Sequence, residues 1–271
     1  MTLIAILAAT LCAGIGSVWL AAGLMRLGFL NRTTSDAPQR LGPQHLLSLA
    51  AGALLATSFM HLLPEAFESQ AGAKELFSTL LVGVVFFFLL DKAELWHHGH
   101  EHHHEHEGDD HAHEGGHHHH APVRSGGWAI LTGDSVHCFG DGILIASAFI
   151  ADIRLGLVAA LAVLAHEVPH HIGDLAVLRL TSGNRRIALV KVSLAGAVTA
   201  LGGLIGWWLV DRLHDYLPYF LVVASSSFIY VALADLIPQL QKRLTARETA
   251  AQIAWLLVGI ALVTVVSNLA H

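Results

Sequence analysis

The segments GWAILTGDSVHCFGDGILIASAFI, residues 127–150, and LGLVAALAVLAHEVPHHIGDLAVLR, residues 155–179, are apolar over most of their length. Each is long enough to cross the roughly 30 Å hydrocarbon core of a bilayer as an α-helix. Each also carries ionisable side chains near its middle, where such a group costs about 2.5–3.5 kcal/mol on insertion scales. The pair therefore predicts two membrane helices whose polar centres serve a function.

Six further segments of the chain are apolar enough to span a membrane. With the central pair they give eight predicted spans, at residues 2–25, 44–66, 75–95, 127–150, 155–179, 187–210, 217–240 and 250–269. The composition agrees, since 54% of the 271 residues are hydrophobic, 13% are charged and the mean hydropathy is +0.57. We predict an all-α, polytopic membrane protein with eight transmembrane helices in one bundle. We expect this single domain to cover residues 1–271. We expect it to contact the lipid bilayer and not to bind nucleic acid.

The basic residues predict how the bundle is oriented, because Lys and Arg accumulate in cytoplasmic loops. With the N-terminus outside, 12 of the 15 basic residues fall in inside loops, and Lys74, Arg154 and Arg212 fall outside. This split favours an even number of spans. It predicts that both termini lie on the non-cytoplasmic side of a plasma or inner membrane.

A histidine-rich tract joins the third and fourth predicted spans on the predicted cytoplasmic side. Residues 97–120 read HHGHEHHHEHEGDDHAHEGGHHHH and contain 13 of the 21 histidines, interleaved with acids. The tract has no apolar period, so we predict a disordered loop that binds metal weakly and exchangeably. Its candidate ligands are His97, His98, His100, His102, His103, His104, His106, His111, His113, His117, His118, His119 and His120.

The polar centres of the two quoted segments are predicted to meet. His137 and Asp141 lie four residues apart and share one helical face, as do His166 and His170, with Glu167 on the adjoining face. A short connection makes the two helices antiparallel neighbours, so both centres lie at one depth. Imidazole and carboxylate groups converging in this way form the ligand set that Zn²⁺ prefers, with Fe²⁺, Mn²⁺, Co²⁺, Ni²⁺ and Cd²⁺ as competitors. We therefore predict a divalent metal site made of these five residues.

Other polar residues in the spans allow two interpretations. Asp134, Asp174 and Ser193 are explained as readily by hydrogen-bonded packing as by metal binding. Pro169 removes an amide donor inside the fifth span and frees a backbone carbonyl beside the histidines. Freed backbone at membrane depth is tolerated where it lines a cavity, so the proline favours a path through the protein.

Three residues near the ends of spans are candidates for the ends of that path. His61 and Glu65, in HLLPEAFE, close the second span on the predicted outer side and could form an entrance. Asp235, in YVALADLIPQL, lies near the inner end of the seventh span and could serve exit. Interfacial solvation of a helix end is the alternative for all three.

The motifs HCFGDG, residues 137–142, and HEVPHHIGD, residues 166–174, resemble paired signatures of the ZIP family of metal importers. Those signatures are often written H-N-F-x-D-G and H-E-x-P-H-E-x-G-D. The resemblance extends to the eight spans, the outside termini, the histidine-rich loop and HLLPEA at the end of the second span. It implies that the five predicted ligands form the main transport site for Zn²⁺ import into the cytoplasm. It also implies homodimers and alternating access by one helix group moving against another.

The chain departs from these signatures at two positions. Cys138 stands where the family often has asparagine, and His171 where it often has glutamate. In relatives described as binuclear, those positions help to hold a second metal. The candidates for a second or accessory metal site are Cys138, His171 and Asp174. The resemblance implies that this site is altered, prefers softer metal ions, or is lost.

Three rival functions remain open from the sequence. HEVPH is also the H-E-x-x-H motif of zinc metalloproteases, with Asp141 as the third ligand of an intramembrane protease. Against this, Pro169 distorts the helix, and His137 with Asp141 supplies more ligands than an open catalytic zinc needs. A metal exporter also pairs intramembrane histidine and aspartate, although with fewer spans, and the loop could be a buffer or sensor on a structural bundle. We predict a transporter and no enzyme.

Overall fold

Eight helices in the described part of the chain are long and apolar enough to cross a membrane. The structure is a computed structural model that describes residues 2–27, 42–99, 126–182, 184–241 and 245–269. The helices are α1 (Thr2–Arg26), α2 (Pro43–Phe67), α3 (Ala73–Gly99), α4 (Gly126–Ala151), α5 (Ile153–Ser182), α6 (Arg185–Arg212), α7 (His214–Leu240) and α8 (Ala246–Leu269). They confirm the predicted all-α architecture with eight spans. The side of the membrane that each terminus faces, and the extent of the domain, stay predictions.

The histidine-rich tract begins within the last turn of α3. This helix continues past the predicted end of the third span at residue 95 and reaches Gly99. The predicted loop ligands, His97 to His120, lie outside the residues whose side chains the structure describes. Metal binding by the tract and its disorder therefore stay predictions.

Small residues let α4 and α6 approach closely. A Cβ atom on Gly142 of α4 would overlap the backbone carbonyl of Thr199 in α6, and one on Gly202 of α6 would overlap the carbonyl of Phe139. The contact between α2 and α8 follows the same pattern at Gly52. Close packing through small residues is typical of membrane bundles, in which lipid gives helices little hydrophobic reason to associate. This packing fixes α4 against α6 while its ligand-bearing face meets α5.

A tight connection makes α4 and α5 an antiparallel pair, as the sequence predicts. Asp152 joins them, and its Oδ1 accepts a hydrogen bond of 2.7 Å from the backbone N–H of Arg154, which satisfies one of the free amides at the start of α5. Gly156 packs directly against the ring of Phe149, where a larger residue would clash. The hairpin therefore sets the depth at which the polar centres of the two helices meet.

Helices α2 and α7 each contain one π-helical turn, at Ser58–Leu62 and Val231–Leu236. Each turn lies just before a proline, Pro64 or Pro238, and a proline cannot donate to the carbonyl four residues earlier. Wider turns of this kind are frequent at functional sites. The two turns carry His61 and Asp235, the predicted entrance and exit residues.

Candidate metal centre

Four of the five predicted ligands converge where α4 and α5 cross the middle of the bundle. Nε2 of His166 lies 3.2 Å from Nε2 of His137, 3.2 Å from Oδ2 of Asp141 and 3.3 Å from Oε1 of Glu167. Nε2 of His137 lies 3.4 Å from the same Glu167 oxygen and 3.9 Å from the Asp141 oxygen. Asp141, His166 and Glu167 are buried, whereas the side chain of His137 is 27% exposed. We call these four residues the primary group.

The spacing of the primary group fits a tetrahedral ion. Around Zn²⁺ with bonds of about 2.0–2.1 Å, tetrahedral ligand atoms lie about 3.3 Å apart. The five measured separations run from 3.2 to 3.9 Å, so small side-chain movements suffice to close the shell.

A backbone carbonyl orients one ring of the primary group. Nδ1 of His166 lies 3.2 Å from the carbonyl oxygen of Ala162. A carbonyl can accept but not donate, so Nδ1 carries the hydrogen and the lone pair of Nε2 points at the other three ligands. Fixing the tautomer through the second ring nitrogen is how proteins orient metal-binding histidines.

A second group of donors lies one turn away on the same two helices. It consists of Asp134, Cys138, Glu167 and His171, all buried, and one donor atom of each lies within 4.8 Å of the others. The Sγ atom of Cys138 lies 3.7 Å from Oδ1 of Asp134 and 3.7 Å from Oε2 of Glu167. Nε2 of His171 lies 3.1 Å from the same Glu167 oxygen and 3.6 Å from Oδ1 of Asp134. We call this set the inner group.

Glu167 belongs to both groups. Its Oε1 faces His137 and His166, while its Oε2 faces Cys138 and His171. One carboxylate can in this way bridge two cation sites, because each of its oxygens has lone pairs to give.

His170 lies beside the primary group. Its ring stacks on that of His137, with centroids 5.6 Å apart and planes inclined by 18°. Its Nδ1 lies 3.7 Å from Oδ2 of Asp174, and Asp134 completes a third set of donors within 4.8 Å. We call Asp134, His170 and Asp174 the flanking group. The structure thus places His170 next to the other four predicted ligands, and Asp174 with His170 and not with the inner group.

A cavity of about 260 Å³ opens against these groups. His137, His166 and His170 line it from α4 and α5, and the facing wall comes from α3 and α7. On that wall the hydroxyl of Tyr230 donates a hydrogen bond of 3.0 Å to Oδ2 of Asp91. The structure therefore brings Asp235, the predicted exit residue, into one cavity with the primary group.

The predicted entrance residues lie elsewhere. His61 is half-buried in the π turn of α2, where its Nε2 makes no hydrogen bond with the described residues. Glu65 is exposed at the end of the same helix. Neither belongs to the described residues that line the cavity, so their role stays a prediction. Ser193 in α6 likewise has an Oγ atom without a hydrogen bond in the described chain.

The sequence reasoning undervalued Asp134 and missed Ser17. Asp134 could have been recognised because it stands four residues before Cys138 and hence on the same helical face. Ser17 in α1 lies with its Oγ 2.9 Å from Nδ1 of His171. A single serine in an apolar helix carries no comparable signal, because serine often bonds to its own backbone there.

The fold and these groups define a polytopic helical membrane protein with a buried cluster of metal-type ligands. Residues 91–267 match the family described as the ZIP zinc transporter. The chain therefore belongs to the ZIP zinc transporter family, a family of transporters and not of enzymes. This membership tells against the protease alternative for HEVPH.

Named relatives support the same assignment. Zinc transporter ZIP4 of Homo sapiens is 39% identical over 115 residues, which are 42% of this chain and 18% of that protein. Zinc transporter ZIP10 of Danio rerio is 34% identical over 120 residues, 44% of this chain and 14% of that protein. Zinc transporter ZIP13 of Pongo abelii is 27% identical over 242 residues, 83% of this chain and 66% of that protein. The chain thus spans a small part of the length of ZIP4 and ZIP10, and about two thirds of ZIP13.

Proposed function

We propose that the protein carries divalent metal ions, foremost Zn²⁺, through the bilayer into the cytoplasm, with the primary group as the transport site. The single observation that carries this proposal is the convergence of two imidazoles and two carboxylates at 3.2 to 3.9 Å in the middle of adjacent spans. The names of the relatives, all zinc transporters, support Zn²⁺ as the substrate.

Charge explains why an ion is favoured at this depth. Asp141 and Glu167 are at least 97% buried at their side chains, and an unpaired carboxylate is costly there. A divalent cation between them neutralises both charges, while His137 and His166 replace its water ligands. The site therefore favours a cation that accepts nitrogen as well as oxygen, as Zn²⁺ does.

The cavity supports release toward the cytoplasm. Asp91 and Asp235 line it near the C-terminal ends of α3 and α7, and the basic residues predict that this side is cytoplasmic. On the opposite side the α4–α5 hairpin is closed by buried apolar residues such as Phe149, Val158 and Ala159. We assign this conformation to the step in which the site has opened inward.

The flanking group offers the ion its next ligands. His170 stacks on the partly exposed ring of His137, so an ion leaving the primary group meets the imidazole of His170 first. Asp174, 3.7 Å from that ring, adds a carboxylate. Asp235 then lies on the facing wall of the cavity. This succession of ligands keeps the ion coordinated while it moves through the cavity toward the cytoplasm.

Uptake into sealed proteoliposomes tests the proposal. The wild-type protein is expected to accumulate Zn²⁺ down an imposed gradient, and His166→Ala is expected to reduce uptake to the background, because it removes the ligand that faces all three others. His214→Ala is the matched control, since this histidine is exposed on the short 3₁₀ turn that opens α7. Equal uptake by His166→Ala and the wild type would overturn the assignment of the site.

Metal content of expressing cells tests the direction. Import predicts a rise in cellular zinc on expression, whereas a fall would make the protein an exporter. Competition by Fe²⁺, Mn²⁺, Co²⁺, Ni²⁺ and Cd²⁺ in the vesicle assay then ranks the substrates. The proposal includes a homodimer in the plasma or inner membrane. The membrane fraction in which the protein is found tests its location, and cross-linking in that fraction tests the homodimer.

A further inference from the structure

Three arginines lie together where α1, α5 and α6 reach the same side of the bundle. Arg26 is the last residue of α1, Arg179 lies in the last turn of α5, and Arg185 is the first residue of α6. We call these three residues the basic cluster. Beneath it, buried apolar residues of the same three helices pack against one another, among them Ala22, Leu178 and Ala188.

The charges of the basic cluster repel one another. Arg26 and Arg185 are close enough to Arg179 for their charges to act on its guanidinium. No ion pair in the described part of the chain joins any of the three to a carboxylate. Like charges gathered in this way cost free energy, which an anion placed among them offsets.

One guanidinium of the basic cluster also lacks a hydrogen-bond acceptor. Arg179 is half-buried, and its Nε atom is shielded from solvent without a hydrogen bond to any described residue. A buried N–H group without an acceptor carries the full cost of its desolvation. A guanidinium holds its N–H donors in a planar fork that matches the oxygens of a phosphate. The cluster therefore has the charge and the donors of a phosphate-binding surface.

The surface next to the basic cluster is apolar. Ile187, Val190 and Leu194 of α6 are exposed large side chains that follow Arg185 along the helix. Their spacing places them on one helical face, so an apolar stripe runs from the cluster toward the middle of the membrane. A phospholipid fits both parts of this surface, with its headgroup on the arginines and an acyl chain along the stripe. A soluble phosphate fits only the first part.

We propose that the basic cluster binds the phosphate headgroup of an anionic phospholipid from the leaflet that the basic residues predict to be cytoplasmic, with Arg179 as the central contact. That leaflet carries negatively charged lipids, and basic pockets between helices on this side bind acidic headgroups. The general excess of Lys and Arg in inside loops explains neither the missing acceptor of Arg179 nor the gathering of arginines from three helices.

The bound lipid has a consequence for the ion that leaves the cavity. Asp174 of the flanking group lies five residues before Arg179, which is about 7.5 Å along α5. This distance is within the Debye length of about 8 Å at physiological ionic strength, so the positive cluster opposes the release of a divalent cation. A lipid phosphate on the cluster offsets that charge and speeds release. This consequence rests on the proposed function, whereas binding of the lipid does not.

Binding of phosphatidylglycerol to the purified full-length protein tests the proposal. Native mass spectrometry in a neutral detergent measures how strongly each variant retains phosphatidylglycerol relative to phosphatidylcholine. The wild type is expected to prefer phosphatidylglycerol, and Arg179→Gln to weaken its binding about fivefold, the effect of one basic residue near an anionic headgroup. Arg247→Gln is the matched control, since Arg247 is exposed at the start of α8 on the same side of the bundle. It is expected to bind as the wild type does.

Two further variants keep the test decisive if Arg179→Gln disturbs the fold. Arg26 and Arg185 are exposed, so Arg26→Gln and Arg185→Gln leave the apolar cluster beneath them intact. Each is expected to weaken binding of phosphatidylglycerol by a similar factor. Equal retention of this lipid by the wild type and both variants would overturn the lipid site. Competition by inorganic phosphate as strong as that by phosphatidylglycerol would also overturn it, because the cluster would then bind soluble anions.

Zn²⁺ uptake gives a separate readout of the effect on release. Vesicles of phosphatidylcholine with added phosphatidylglycerol are compared with vesicles of phosphatidylcholine alone. The anionic lipid is expected to raise the initial rate by a larger factor in the wild type and Arg247→Gln than in Arg179→Gln. An equal rise in all three would overturn the effect on release. If no protein took up Zn²⁺ in either vesicle while the preference for phosphatidylglycerol remained, the transport proposal would fail and the lipid site would stand.

Discussion

The primary and inner groups occupy neighbouring turns of the same two helices and share Glu167, yet they differ in what surrounds them. His137 and His166 of the primary group line the cavity, with the His137 side chain 27% exposed, whereas the inner group reaches the cavity through Asp134 alone of its four residues, and that side chain is 1% exposed. The primary group offers nitrogen and oxygen, and the inner group adds sulfur. The same two helices thus present two sets of donors, at positions 137, 141, 166 and 167 and at positions 134, 138, 167 and 171, that differ in chemistry and in access to the cavity.

The largest effect is expected where the two groups join. Glu167→Gln keeps the size of the side chain but removes the charge that faces both sets of ligands. We expect Zn²⁺ uptake to fall to the background and zinc affinity to fall by more than the about 10–100-fold lost when only a partner behind a metal ligand is removed, because Glu167 faces the ion itself. Uptake into proteoliposomes and zinc titration of the purified protein measure the two losses.

Glu248→Gln is the control for that change, since Glu248 caps the start of α8 far along the chain and a glutamine oxygen can still accept from Thr245. If Glu167→Gln kept wild-type uptake and zinc affinity, Glu167 would not be a ligand of the ion, and the comparison between the two groups would fail.

A pair of matched aspartates separates the two groups. Asp141 belongs to the primary group and Asp134 to the inner and flanking groups. Asp141→Asn is expected to lower Zn²⁺ uptake into proteoliposomes by at least about tenfold, because it removes a charged ligand of the primary group. Asp134→Asn is expected to lower uptake less, because Asp134 faces Cys138 and His171 and not the ligands of the primary group. An equal loss of uptake in both variants would mean that the inner group takes part in transport as much as the primary group does.

The sequence alone predicted the eight spans and the meeting of His137, Asp141, His166 and Glu167, because both follow from strong local signals. Long apolar runs require helices in lipid, and a spacing of four residues fixes the helical face. The position of His170 beside the group, and of Asp134 in the inner group, depends on how far α4 and α5 are rotated about their axes. That rotation is set by contacts such as Gly142 against Thr199 in α6, which periodicity does not reveal.

A smaller effect is expected at the cavity wall that faces the primary group. Tyr230→Phe removes the hydrogen bond of 3.0 Å to Asp91 that joins α7 to α3. One such bond is worth about 0.5–1.5 kcal/mol, or more with a charged partner, so we expect uptake to change by less than about tenfold. Metal affinity at both groups is expected to stay unchanged, because Tyr230 belongs to neither. A change in affinity equal to the change in uptake would place Tyr230 among the ligands.

The smallest effect is expected from the histidine-rich tract, in spite of its 13 histidines. The sequence predicts a disordered loop here, and ordering such a loop around an ion costs conformational entropy. The primary and inner groups are held rigid by two packed helices and need no such ordering. Replacing residues 97–120 by a Gly/Ser segment of equal length keeps the reach of the connection. We therefore expect the initial rate of Zn²⁺ uptake at saturating metal to stay within about twofold of the wild type. The dependence of that rate on the metal concentration at the cytoplasmic side is expected to shift. Complete loss of flux in this variant, with the primary group intact, would mean that the transport path runs through the tract and not between α4 and α5.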